Sequence, residues 1–73
     1  MTYCIAVFKS RSQAADCKIL LTRAGVWCEL IETPARLGLG CGLSVKLMRR
    51  DYARAKRMID ARRYSAMYGY MQL

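Results

Sequence analysis

Leu43-Ser44-Val45-Lys46-Leu47-Met48 alternates apolar and polar residues over its first five positions, the period of a strand with one face in a core. Directly before it runs Gly38-Leu39-Gly40-Cys41-Gly42, which sets one thiol among three glycines. Glycine lets a backbone take positive φ and leaves the space beside it open, because no Cβ crowds it. A cysteine needed only as a small hydrophobe has no use for such bare surroundings. Cys41 is therefore the first candidate for chemistry.

Working towards the N-terminus, Pro34 closes a second strand that spans residues 26–33, since proline cannot donate a ladder hydrogen bond. Gly25 is a stop signal for the helix before it. Ala14, Cys17, Leu21 and Ala24, with Leu20 beside them, recur at the spacing of a helix with one apolar face. Ser10 and Gln13 have capping-box spacing, so this helix should begin near Arg11. Residues 2–8 are short, apolar and partly β-branched or aromatic, as in a buried first strand.

Working towards the C-terminus, Asp51 suits the first turn of a second helix, where negative charge meets the helix dipole. Tyr52, Ala55, Met58 and Ile59 form the apolar stripe of that helix. A last strand over residues 66–71 would put Ala66, Tyr68 and Tyr70 on one face and Met67, Gly69 and Met71 on the other. The element order is β-α-β-β-α-β over one domain, residues 1–73. This predicts an α+β, ferredoxin-like fold with a four-stranded antiparallel sheet and two helices on one face. Spatial order 4-1-3-2 pairs the first strand with the third, so the start of the third lies beside the end of the first. Cys41 is then expected near Phe8, Lys9 and Ser10, at the N-terminus of the first helix. Such a terminus, with nearby cations, favours thiolate and lowers a cysteine pKa below about 8.5. Lys9, Arg11 and Arg36 would supply the positive charge, and the backbone at Gly40 and Gly42 would supply donors for an anion.

Composition narrows the chemistry further. The chain has 73 residues, and a domain of this size buries only about 60% of its unfolded surface, so its core is thin. It has no histidine, which removes Ser-His and Cys-His nucleophile pairs. Cys4, Cys17, Cys28 and Cys41 contain no paired CxxC, and no metal site or cofactor is expected. No apolar run has the roughly 18 residues of a membrane helix, and Met1-Thr2-Tyr3-Cys4 lacks the basic-then-apolar order of a signal peptide. A cytoplasmic, reducing setting is expected, with thiols rather than disulfides. Cys17 and Cys4 fall in phase with core positions and read as core filler. Cys28 is the candidate second thiol, provided its Cα approaches that of Cys41 within roughly 7 Å. The carboxylates Asp16, Glu29, Glu32, Asp51 and Asp60 show no paired spacing for acid-base or metal chemistry.

The order strand, helix ending Ala24-Gly25, strand running to Thr33-Pro34, then a loop to Cys41-Gly42-Leu43 resembles a family of small bacterial selenium- or sulfur-carrier-like proteins. Asp51-Tyr52 through Met58-Ile59 fits the second helix of that pattern, and Thr33-Pro34-(x)6-Cys41-Gly42-Leu43 is its specific part. The resemblance implies a two-layer α/β fold, a role in handling reactive sulfur or selenium, and Cys41 as the carrier thiol. It also implies donor and acceptor proteins as partners, and a carrier or adaptor rather than a turnover enzyme. The chain departs from the pattern in its basicity and its extra cysteines.

Two rival readings come from the charge and the tyrosines. Net charge is +8, concentrated in the second half, which could attract nucleic acid or an acidic protein. Tyr64, Tyr68 and Tyr70 could stack nucleobases on a bare sheet face, but the third strand supplies no aromatic residue, and RNA-recognition modules use their central strands. That ranks a nucleic-acid module below the carrier. A bare apolar face also suits homodimerisation or a non-catalytic partner subunit.

Overall fold

The computed structural model describes residues 2–40 and 42–73. Four strands form one antiparallel sheet: β1 (Tyr3–Phe8), β2 (Cys28–Glu32), β3 (Leu43–Met48) and β4 (Met67–Gln72), in the order β2-β3-β1-β4. Helices α1 (Arg11–Arg23) and α2 (Tyr52–Arg62) complete the ferredoxin-like α+β arrangement. The third strand has the bounds that its alternation sets.

Strand β1 is central and buried from Cys4 to Phe8 on both faces. Cys4, Ala6 and Phe8 join Val45 and Leu47 of β3 under the helices, where Ala14, Cys17, Leu21, Ala55 and Ile59 close the core. At about 25 cal/mol per Å² of apolar surface, such a thin core leaves little margin for a lost contact. Ile5 and Val7 face the other way, yet they are also buried. Tyr3 and Lys46 lie on that face, with the Lys46 ammonium 4.2 Å from the Tyr3 ring centre and Trp27 packed on Tyr3 at 6.0 Å. Much of the helix-free face is therefore covered by its own side chains.

Ser10 caps α1, its hydroxyl accepting from the Gln13 N–H at 3.2 Å. The reciprocal half of a capping box is replaced by a longer reach. Gln13 Nε2 donates to Ser65 Oγ, and Gln13 Oε1 accepts from the Ala66 N–H, each at 2.9 Å. The first turn of α1 is thereby tied to the entrance of β4. Gly25 at φ +79° follows the helix end. Before α2, Asp51 sits in a 3-10 turn (Arg49–Asp51) and holds the N-cap position, with no side-chain cap bond.

The last strand corrects an expectation. Met67 and Tyr70 pack on the helix-side core, whereas Tyr68 is exposed. Val7 pairs with Gly69 and Phe8 with Met67, so Tyr68 is the extra residue of a β-bulge. One extra residue reverses the face of everything beyond it, so Tyr68 and Tyr70 do not share a side. Gly69 at φ +146° takes a conformation that side chains rarely adopt. Strand β2 is also shorter than the apolar run suggested, because Val26 and Trp27 belong to the turn that follows Gly25.

The glycines before β3 do two different jobs. Gly38 at φ +67° ends a 3-10 turn (Ala35–Leu37), and Gly40 has φ +77°. Gly42 is there for space, because a Cβ on it would lie 2.6 Å from the Phe8 carbonyl oxygen. Gly42→Ala should therefore push β1 and β3 apart and cost about 1–3 kcal/mol. For a domain this small that lowers Tm by roughly 4–8 °C per kcal/mol. Gly38→Asn, whose side chain tolerates the left-handed region and meets no atom within 4 Å, should cost less than half as much. Thermal unfolding of the two variants checks the contrast.

Candidate functional site at the end of the central strands

Cys41 lies outside the described residues; its neighbours Gly40 and Gly42 are described. Phe8 of β1 pairs with Leu43 of β3, and Glu32 of β2 pairs with Leu43 from the other side. One step further, the Thr33 N–H donates to the Gly42 carbonyl at 3.0 Å. Gly42 is thus wedged between the ends of β1 and β2, against Phe8, which stands two residues before the Ser10 cap of α1. Thr33 and Ser44 brace the same corner through a buried hydroxyl pair at 2.9 Å. Burying two hydroxyls costs little here because each satisfies the other.

Around this corner the expected support residues separate into two groups. Lys9 and Arg11 come with Gly42 to the same edge. The Lys9 ammonium sits 4.9 Å from the centre of the Tyr68 ring, so the bulge that turns Tyr68 outward also gives Lys9 a resting place. Arg11 reaches Glu32 at 3.8 Å, and both side chains are well exposed. An ion pair this open is worth at most about 1 kcal/mol, so Arg11 stays free to turn towards another anion. Arg36 sits exposed in the 3-10 turn after Pro34. Gly40 lines a shallow depression with Glu32, Thr33, Pro34 and Ala35. Glu32 and Thr33 are the neighbours that sequence reasoning missed. Thr33 had a signal, since it opens the Thr33-Pro34 motif; Glu32 had none until the strand register was known.

The other thiols sit elsewhere. Cys4 and Cys17 are buried in the core, and burial pushes both thiols up, Cys17 to about 12. Nearby Arg49 offsets part of that rise for Cys4. Cys28 is half-buried at the start of β2, its sulfur 3.6 Å from the Lys18 carbonyl oxygen and from the Thr22 hydroxyl of α1. It pairs with Leu47, four positions along β3 from Leu43, or ~13 Å of strand. A disulfide between that position and the Gly42 corner would need the chain to move, because its Cα atoms must come within roughly 7 Å. No group of three or more His, Cys, Asp or Glu side chains suited to a metal occurs among the described residues.

No curated protein and no solved structure matches the chain. A family described as "Putative Se/S carrier protein-like" matches residues 3–68.

The raised thiol pKa values predict an alkaline weakness. Between about pH 9 and 12 the unfolded chain releases the Cys17 proton while the folded chain keeps it. Stability is then whole below the unfolded pKa and falls as pH rises towards the folded one. Tyr64, pushed to about 12 by burial and by its bond to Asp16, adds to the same slope. Chemical denaturation at pH 7.5, 9 and 10.5 should show a steady loss, smaller in Cys17→Ala once its cavity cost at pH 7.5 is subtracted. An unchanged slope in that variant would assign the effect to other groups.

Proposed function

The chain belongs to the Se/S carrier protein-like family, whose match covers most of its length. We propose that it accepts sulfur or selenium on Cys41 from a donor protein in the cytoplasm and hands it to an acceptor. The Cys41 thiolate attacks the outer sulfur of a donor persulfide. A new S–S bond forms at Cys41 as the donor's S–S bond breaks, and the donor cysteine leaves as thiolate. Passing the atom on repeats the exchange with an acceptor thiolate, so no external oxidant or reductant is consumed. Selenium travels by the same exchange, as the outer atom of an S–Se bond.

The observation that carries this reading is the position of Gly42, held against the Phe8 carbonyl at the edge where α1 begins. The residue joined to it stands next in sequence to a corner supplied with Lys9, Arg11 and the first-turn N–H groups of a helix that has no acidic residue in its first turn. That setting favours a thiolate and a persulfide anion. Arg36 and the backbone of Gly40 and Gly42 would add contacts to the anion. Cys28, placed well along β2, would serve as a second thiol only after a rearrangement or between two chains. Such work needs no turnover chemistry of the protein's own.

At pH 6.5, limiting iodoacetamide with peptide mapping should label Cys41 at least tenfold faster than Cys4 or Cys17. Persulfide loading, read as a mass gain of one sulfur, should be lost in Cys41→Ser and kept in Cys28→Ser. Equal labelling of all four thiols would end the proposal.

A further inference from the structure

The helix layer carries more positive charge than its own carboxylates, Asp16 and Asp60, can balance. Of the five carboxylates, Asp16 accepts from Arg62 and from the Tyr64 hydroxyl, and Asp60 accepts from Lys56 and from the Tyr70 hydroxyl. These bonds hold both carboxyls below their ordinary range, so they stay ionised and bound to their own partners. Glu29 and Glu32 pair with Lys46 and Arg11 at the β2 side, and Asp51 holds the N-cap position of α2 without a side-chain cap bond. No ion pair is found for Arg23, Arg54 or Arg57 among the described residues.

These three arginines converge. The Asp16–Arg62 pair and the bond from Arg54 Nη2 to the Ala24 carbonyl, 2.6 Å, show that α1 and α2 run antiparallel side by side. Arg54, Arg57 and Ala61 share one face of α2 by helical spacing, and Ile19 and Arg23 share one face of α1. Ile19 is 51% exposed, one of the few large apolar side chains left in solvent. An apolar contact thus stands among arginines, with the small Ala61 beside them.

We propose that this surface docks an acidic, partly apolar segment of a protein partner, with Ile19 as the apolar contact and Arg23, Arg54 and Arg57 receiving carboxylates. The inference rests on the carrier reading, which requires donor and acceptor proteins. Charge complementarity identifies the occupant: guanidinium forks match carboxylates in two parallel bonds. A single-stranded nucleic acid fits less well, because the exposed rings of Trp27 and Tyr68 lie outside the helix layer and offer it no stacking there. Ile19 stands eight residues along α1 from Arg11, or ~12 Å. A partner domain of ordinary radius, about 13 Å for 100 residues, would overhang the Gly42 edge while seated on the helices.

The test uses Cys41→Ser protein, which cannot be loaded, so its result stands apart from that of the carrier reading. The probe is a fluorescein-labelled 20-residue helical peptide of Glu, Leu and Ala, titrated by anisotropy in 100 mM NaCl. Arg23→Ala with Arg57→Ala should weaken binding at least tenfold, and Ile19→Ala at least threefold. Lys18→Ala with Arg63→Gly, which removes the same charge elsewhere, should change it less than twofold. Arg54 is left intact because it also closes the end of α1. Absence of peptide binding, equal losses in the two charge variants, or no effect of Ile19→Ala would overturn the proposal. So would a 20-base-pair duplex DNA that binds more tightly than the peptide and depends on Arg23 and Arg57. With Cys41 restored, persulfide loading of the Arg23/Arg57 variant from a small-molecule polysulfide should match that of the unsubstituted protein, which separates docking from chemistry.

Discussion

The register of β1 against β3 is the constraint on which the rest depends. β1 is flanked by a strand on each side and buried on each face, so a slip of one residue would turn Cys4, Ala6 and Phe8 out of the core and Ile5 and Val7 into it. On the other side of β3, a slip of β2 would part Thr33 from Ser44, leaving two hydroxyls buried without partners, at about 1–3 kcal/mol each. Apolar packing therefore fixes β3 against β1, and a polar pair fixes it against β2. That alignment brings Phe8, Gly42, Thr33 and Glu32 to one corner, and the close backbone approach there admits only glycine at position 42.

Where the sequence was readable, local physics and tertiary packing agreed. Ser10 names the start of α1 because its oxygen has one nearby use, and Ala14, Cys17 and Leu21 name the buried face because their spacing fits one period. Leu43 to Met48 could be read to the residue, since β3 has one face under the helices and an alternating pattern. The glycine-rich loop was legible as a place needing positive φ at Gly38 and Gly40, but the reason for Gly42 was not. Its reason is the Phe8 carbonyl, more than thirty residues away in sequence.

β4 shows why alternation alone misleads at an edge. Tyr68-Gly69-Tyr70 reads as ordinary alternation, yet an edge strand can absorb an extra residue because only one neighbour fixes it. The bulge sends Tyr68 outward to Lys9 and returns Tyr70 to the core, where it packs edge-on against Tyr52. The same tertiary logic redirects Gln13, whose spacing from Ser10 promised a local bond and whose side chain instead reaches Ser65 and Ala66. Fold class and the order of elements were thus written in local patterns. The partners of Arg11, Gln13 and Tyr68 were written in contacts between distant segments.

Division of charge follows from the same packing. Two tyrosines of the β4 region, Tyr64 and Tyr70, each hand a hydroxyl to a helix carboxylate, and each carboxylate also binds a cation. With Asp16 and Asp60 so occupied, the net positive charge falls to arginines that make no ion pair among the described residues. In a chain this short the acids are drawn into holding the fold together, while Arg23 and Arg57 make no ion pair among the described residues. Arg54 is bonded to the Ala24 carbonyl by one nitrogen and is otherwise exposed. The outer face of the helices and the corner at Gly42 are built from different residues, so each can vary without disturbing the other while both rest on one sheet.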